Sequence, residues 1–175
     1  VRGTSGSFDR TTTLTVQVNP AAATITSAKP VDAGADADLP YSDFRQGFTA
    51  VRIKIIGTGV AGIGTAGIRL GTIVPISVED KGGYTIATFN IPHGEAIGTK
   101  DIFVTNVTGT GSFPAVVTVT AIAVNGGGND ATGRGTPASP FETIAKANTV
   151  SGDNDTIQLT GSVDTGKETY PIVLK

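Results

Sequence analysis

Aspartates concentrated in one stretch of the N-terminal third are the residues whose type and spacing best suit chemistry. Asp32, Asp36 and Asp38 follow one another closely, with Asp43 a little further on. Calcium takes several oxygen ligands at short spacing, which a stretch this rich in carboxylates could supply. The EF-hand pattern is absent, because the required Gly and Glu positions are not met. A solvated acidic loop is therefore the preferred interpretation, with calcium as the alternative.

A second set of oxygen-bearing side chains lies in the C-terminal third. Asn129 and Asp130 form one pair, and Asp153, Asn154 and Asp155 form a run. Both groups are expected where modules join, and calcium could stiffen such a junction. Calcium is the one cofactor that these patterns suggest, and no catalytic or cofactor-binding residue is assigned.

The most conspicuous glycine motif is G-x-G-x-x-G at 57–62, after an apolar strand and about twenty residues before Glu79 and Asp80. In a dinucleotide site, this motif opens a helix whose N-terminus holds a pyrophosphate. The following segment, 63–71, contains three glycines, each costing about 1 kcal/mol relative to alanine inside a helix. We therefore expect a loop and a strand here.

His93 is the single histidine and lies in a Pro-His-Gly turn. A Ser-His-Asp triad needs a histidine held between a nucleophile and an orienting carboxylate, whereas a turn favours exposure. Spacing alone also places no two carboxylates in a cleft for glycoside hydrolysis. Without tryptophan, a sugar-stacking platform is weakened, and Tyr41, Phe44 and Phe48 are the only clustered exposed candidates.

Composition points to an all-β protein. The chain has 175 residues, 24 of them Gly, with 38% hydrophobic and 16% charged residues, and is rich in Thr, Val and Ile. A net charge of −2 argues against nucleic acid as a partner, since phosphate binding needs a basic face. No basic amphipathic helix or long apolar run predicts membrane insertion. The absence of cysteine excludes disulfides and thiolate chemistry.

Short strands separated by glycine-rich turns must position these residues. Apolar alternation predicts a strand at 11–18 and six more strands, at 23–28, 50–56, 68–78, 84–91, 100–107 and 115–124. Strands at regular spacing without intervening helices predict a β-sandwich. Its predicted buried residues are Ile53, Ile55, Phe89, Ile102, Val104 and Val119.

Four segments in this region together resemble IPT/TIG domains, which are immunoglobulin-like modules of cell-surface receptors, bacterial surface proteins and polysaccharide-active enzymes. The segments are ATITSAKP at 23–30, VRIKIIGTG at 51–59, IPHG at 91–94 and GTKDIFVTN at 98–106. The resemblance covers about residues 22–122 and implies an immunoglobulin-like sandwich. The acidic segment 31–48 departs from it, since the family does not require such an insertion.

A capped helix is predicted after a glycine-rich linker. Ser139 suits the N-cap, Pro140 the first helical position, and Glu142 completes a Ser-x-x-Glu capping box. Strands are predicted at 157–159 and 170–174. We expect the helix, with Phe141 on its buried face, to cover the end of this strand pair.

This block resembles the N-terminal cap and first coil of pectate lyase-like right-handed parallel β-helix proteins. The resemblance implies a truncated β-helix start, since about three coils are needed to bury a solenoid core. The expected organisation is the last strand of a preceding module at 1–20, the sandwich at 21–123, a linker at 124–138 and an incomplete β-helix cap at 139–175.

The sequence thus predicts a non-catalytic structural or adhesive segment of a secreted or cell-surface, S-layer-like protein, with a prokaryotic source expected. Its expected partners are other chains or modules of the same assembly and polysaccharide. The alternative is an accessory module of a polysaccharide-degrading β-helix enzyme, with catalytic coils beyond Lys175. A dinucleotide enzyme is a distant third.

Overall fold

The computed structural model describes residues 21–168, and this part of the chain is mostly β. Its strands are β1 (Thr24–Val31), β2 (Asp43–Arg45), β3 (Val51–Thr58), β4 (Ile68–Leu70), β5 (Ser77–Asp80), β6 (Thr85–Phe89), β7 (Gly98–Asn106), β8 (Gly109–Thr120), β9 (Ile122–Val124) and β10 (Ile157–Leu159). One α-helix, α1 (Ile144–Val150), lies between β9 and β10. The strands predicted at 11–18 and 170–174 lie outside the described residues. Across 21–168, no helix has the length and apolar character needed to cross a membrane.

Two four-stranded sheets are built from β1 to β8. The first has the order β1-β3-β6-β5, with every neighbouring pair antiparallel. The second has the order β2-β8-β7-β4, in which the short β2 runs parallel to β8 and the other pairs are antiparallel. The chain passes from the first sheet to the second through the acidic segment 32–42.

Side chains from both sheets contribute to one hydrophobic core. Ile53, Ile55 and Phe89 come from the first sheet, and Ile102, Val104 and Val119 from the second, and all six are fully buried. Alternating residues of a strand point to opposite faces, so the apolar set of each strand faces this core. The burial predicted from alternation is confirmed for all six residues.

The single strand predicted at 68–78 is wrong, because the segment forms two strands in different sheets. Gly71 adopts a left-handed conformation with φ of 58°, and Ile73 N donates back to Leu70 O at 2.9 Å. This tight turn ends β4, and Pro75 lies in the connection to β5. Apolar residues on both sides of this turn therefore conceal a change of sheet, which periodicity does not report.

A second, smaller core lies beyond β8. The chain continues from β8 through Ala121 into β9, which pairs in parallel with β10. On its other side, β9 forms a parallel bridge between Val124 and Phe141. Ile122, Val124, Phe141 and Ala147 are the buried residues of this core. The segment 124–138, expected to be a linker, is tied to it, since Ala123 N donates to Gly135 O at 2.8 Å.

The predicted start of the helix is wrong. Helix α1 begins at Ile144, and its N-cap is Thr143, whose hydroxyl accepts a hydrogen bond from Lys146 N at 3.0 Å. Ser139 instead closes a turn, with Ser139 N donating to Thr136 O. Phe141 is extended and pairs with β9, and it is 3% exposed.

Distant carboxylates explain this choice of N-terminus. Glu168 accepts from Ile144 N at 2.6 Å and from Ala145 N at 3.2 Å, so it satisfies amides that would otherwise lack intrahelical partners. Glu142, the expected capping-box residue, pairs with Lys167. A capping residue supplied from elsewhere in the chain is invisible to a local motif.

Candidate functional site

The carboxylates of the acidic segment 32–42, hereafter the acidic loop, are bonded to protein donors. Asp36 lies 2.7 Å from Arg52 Nη2 and accepts from Tyr84 Oη at 3.0 Å. Asp38 bridges Lys54 Nζ at 2.8 Å and Lys29 Nζ at 3.1 Å. Hydrogen bonds from Lys54 and Lys29 hold the pKa of Asp38 below its usual value.

Asp32 organises the acidic loop itself. Its carboxylate accepts from Ala35 N at 2.8 Å and Gly34 N at 3.1 Å. The bond from Ala35 is the main reason that the pKa of Asp32 is lowered. The three predicted ligands therefore each accept hydrogen bonds from a different group of protein donors. Ion pairs of Asp36 and Asp38 join the loop to β1 and β3.

The second predicted calcium pair has a similar local role. Asn129 Oδ1 accepts from Ala131 N at 2.8 Å and Thr132 N at 2.9 Å. Asp130 accepts from Glu142 N, Thr143 N and Thr143 Oγ1 at 2.7, 3.0 and 2.6 Å. Burial alone raises the pKa of Asp130, but the bonds from Thr143 and Glu142 outweigh it and leave that pKa below its usual value.

Within residues 21–168, no three His, Asp or Glu side chains come together in an arrangement that could hold a metal ion. Calcium at the predicted residues stays a prediction.

The glycine motif at 57–62 begins in the last two residues of β3 and continues into a loop that Asp80 closes. After Gly62, the chain makes a 3₁₀ turn, Thr65–Gly67, and enters β4. Asp80 accepts from Gly62 N at 3.2 Å and Gly82 N at 2.9 Å. The acidic residue that resembled a ribose ligand therefore binds one amide of the motif and one amide of the turn between β5 and β6.

The aromatic cluster is less exposed than predicted. Phe44 is 2% exposed and belongs to the core, and Phe48 is partly buried against it. Tyr41 is half-buried, with its ring 5.8 Å from that of Phe44 and 3.4 Å from the guanidinium carbon of Arg134. The predicted exposure of Phe44 was wrong, because β2, which the sequence did not predict, turns this side chain into the core. Tyr41 and Phe48 each keep part of their surface exposed.

His93 meets a buried carboxylate across the junction between the two cores. Its side chain is 46% exposed, whereas that of Asp155 is fully buried. His93 Nδ1 donates to Asp155 Oδ2 at 2.6 Å, and Asp155 also accepts from Gly94 N at 2.8 Å and Gly152 N at 2.9 Å. A Cβ at Gly152 would overlap the imidazole, so the close approach requires glycine there.

The charge of Asp155 is stabilised by these donors. Burial alone raises its pKa, but the hydrogen bonds from Gly152, Gly94 and His93 outweigh burial and hold that pKa below the usual value. A histidine oriented by a carboxylate is two-thirds of a hydrolase triad. Among residues 21–168, no serine or threonine hydroxyl is hydrogen-bonded to His93, and Ser151 donates to Asn148 O at 3.1 Å. The contact that the structure shows joins two segments 62 positions apart in the chain.

Gln46 makes a second link across the same junction. It is 3% exposed and directly follows β2. Its Nε2 donates to Glu95 O at 2.7 Å, and its Oε1 accepts from Thr156 N at 2.8 Å. One buried amide thus holds the loop after β6 and the start of β10 together.

Two arginines complete the junction. Arg134 stacks on Tyr41 and donates to Asp43 O at 3.1 Å and Asp43 Oδ1 at 3.3 Å. The Arg45 guanidinium carbon lies 5.6 Å from the Phe48 ring centroid and 6.0 Å from that of Phe141. Burial lowers the pKa of Arg45, and the nearby charge of Asp155 acts in the opposite direction.

We call Gln46, His93, Arg134 and Asp155 the junction cluster. Its contacts join residues 62, 91 and 110 positions apart in the chain. Gln46 and Arg134 could not be identified from the sequence, because no local signal marks either residue. Asp155 was noted only as a calcium candidate and His93 only as an exposed turn residue.

The chain was compared with protein-family models, with curated proteins and with solved structures, and none of the three comparisons found a match.

Proposed function

We propose that this chain is a non-catalytic structural segment of a secreted or cell-surface protein, in which an immunoglobulin-like sandwich is rigidly joined to the first coil of a parallel β-helix. The role of such a segment is to hold two folded units at a fixed relative orientation. The junction cluster is the observation that carries the proposal.

The order of the strands supports an immunoglobulin-like sandwich. Immunoglobulin constant-type domains place strands A, B, E and D in one sheet and C, F and G in the other. Here β1, β3, β6 and β5 form one sheet, and β4, β7 and β8 are neighbours in the other. Assigning A to G in chain order to β1, β3, β4, β5, β6, β7 and β8 reproduces that arrangement, with β2 as an added edge strand.

The parallel pairing beyond β8 supports a β-helix start. Parallel neighbours require a long crossover connection, and the chain between β9 and β10 supplies one that contains α1. Helix α1 contributes Ala147 to the small core beneath β9, as expected of a helix that covers the end of a solenoid.

The junction is suited to transmitting orientation rather than allowing motion. Strand β9 follows β8 after one residue, so no flexible linker separates the cores. The side chains that join them are buried or half-buried, and unmade hydrogen bonds at such positions are costly. A structural spacer needs such a fixed orientation between its folded units.

NMR relaxation of the 175-residue chain tests the mechanical part of the proposal. Amides of β1–β8 and of β9–β10 should report one common rotational correlation time and one alignment tensor. Two different correlation times would mean that the cores move independently. Labelling of intact source cells with an antibody against this chain tests the location, and labelling only after permeabilisation would contradict it.

A second candidate is an accessory module of a polysaccharide-degrading β-helix enzyme, which the parallel ladder of β9 and β10 favours. In that case, a longer product carrying further coils would release reducing ends from a polysaccharide, while this chain alone would not. Release by this chain alone, lost on substitution of a single carboxylate, would contradict both candidates.

A further inference from the structure

We propose that the groove between β1 and the segment 38–42 binds one end or one short stretch of a neutral, hydroxyl-rich glycan. The groove has a volume of about 310 Å³, at the lower end of the range of ligand pockets. Its lining residues come from β1, the acidic loop and the bulged part of β8. We refer to it as the β1 groove.

The acidic loop builds one wall of the β1 groove. Asp38 forms a bridge with Val31, and Leu39 N donates to Pro30 O at 2.9 Å, so the loop is fixed alongside the edge of the first sheet. Pro40, Tyr41 and Ser42 continue this wall toward β2. The insertion that a simple sandwich does not require is therefore what creates the groove.

The groove combines an aromatic ring with paired hydrogen-bonding charges. Tyr41 is held in place by Arg134 and Phe44, so its orientation does not have to be fixed on binding. Lys29 and Asp38 lie 3.1 Å apart, with side chains 60% and 43% exposed. An ammonium can donate to one hydroxyl while a carboxylate accepts from its neighbour, which matches the vicinal hydroxyls of a sugar ring.

Charge balance favours a neutral ligand over an acidic one. Lys29 and Lys54 both pair with Asp38, Arg52 pairs with Asp36, and Arg134 pairs with Asp43. Asp32, on the same loop, supplies the fourth negative charge beside these four cations. With its cations already paired, the groove presents no excess positive charge to attract a polyanion.

The backbone disfavours a peptide in the same place. A peptide that adds a strand to a sheet edge needs free donors and acceptors along that edge. Pro30 has no N–H, and its carbonyl already accepts from Leu39 N. Recognition in the β1 groove must therefore use side chains, as sugar binding does.

The test is an ¹⁵N-HSQC titration of the full chain with glucose-, mannose-, galactose- and N-acetylglucosamine-based hexasaccharides, each to about 10 mM. At least one should cause saturable shifts confined to Lys29, Leu39, Tyr41, Ser42 and their neighbours. Oligogalacturonate and a proline-rich peptide serve as the acidic and peptide probes. No saturable binding to any neutral hexasaccharide, or binding only to one of those two probes, would overturn the proposal.

Variants locate the site. Lys29→Ala and Asp38→Asn should each weaken binding by about tenfold, which is 1.4 kcal/mol. Lys81→Ala is the matched control, because Lys81 forms a comparable exposed ion pair with Glu79 and does not line the groove. Tyr41→Phe should retain binding, whereas Tyr41→Ala should abolish it, with shift changes in the unbound spectrum confined to the neighbours of Tyr41. Equal weakening by Lys81→Ala, or none by Lys29→Ala and Asp38→Asn, would place the site elsewhere.

Discussion

Replacing Gln46 by alanine removes one side chain that joins both cores. The change deletes the donor to Glu95 O and the acceptor of Thr156 N, which lie 2.7 and 2.8 Å from the Gln46 amide. Gln46 is 3% exposed, so water does not replace the lost partners freely. A polar group left unsatisfied in such a position costs about 1–3 kcal/mol.

Two such groups predict a loss of about 2–4 kcal/mol in the free energy of unfolding, after allowance for partial access of water. The free energy is measured by urea denaturation followed by far-UV circular dichroism. The chain offers a matched control in Gln158, which is exposed on β10. Gln158→Ala should change the stability by no more than about 0.5 kcal/mol.

Hydrogen exchange provides the local readout. The Thr156 amide should exchange more than about tenfold faster in Gln46→Ala than in the parent protein, since 1.4 kcal/mol corresponds to a factor of ten. If Gln46→Ala and Gln158→Ala lost equal, small amounts of stability and Thr156 stayed protected, the junction cluster would not hold the cores together.

Three further changes probe other parts of the structure. Phe141→Ala should destabilise the small core by about 3–5 kcal/mol, seen as faster hydrogen exchange in β9 and β10 while β3 and β7 stay protected; equal loss of protection in both cores would contradict this. Asp155→Asn should make stability fall less steeply as the pH is lowered. The pKa of Asp155 is lower in the folded state than the value of about 4 in the unfolded state. The ionised carboxylate therefore stabilises the fold above that unfolded-state pKa, and this stability is lost as the pH falls through the folded-state pKa. Unchanged acid slopes in urea titrations would be the contrary result. Saturating calcium should shift the melting temperature by no more than about 1 °C, because the carboxylates of the acidic loop already accept bonds from protein donors. Bound calcium at a hundred times its dissociation constant would instead add about 2.7 kcal/mol, so a rise of several degrees that EDTA reverses would confirm calcium binding.

Alternation along single strands was sufficient to identify the main core. The side chains of Ile53 and Ile55, or of Ile102 and Val104, lie on one face because the strand repeat is two residues. This repeat holds wherever one face of a strand is buried. The mostly β fold and the six predicted core residues could therefore be identified without knowledge of the strand order. The glycines after Gly62 likewise argued correctly for a loop in place of a long helix.

Local motifs failed where a distant group competed with them. Ser139 and Glu142 form a sound capping box in sequence, yet α1 begins after Thr143 because Glu168 and Asp130 satisfy amides around that residue. Phe141 then becomes available to pair with Val124. The free energy of a cap is about 1 kcal/mol, which a few tertiary hydrogen bonds exceed.

The sequence by itself therefore determined the class of fold and the faces of its strands, since both follow from the repeat of apolar residues over short distances. The tertiary structure decided which polar groups meet, because His93 and Asp155, or Gln46 and Thr156, are brought together only when β8 continues into β9 and β10 returns beside it. Spacing along the chain does not predict contacts between residues 62 or 110 positions apart. Their distance in space is set by the packing of all the strands that lie between them.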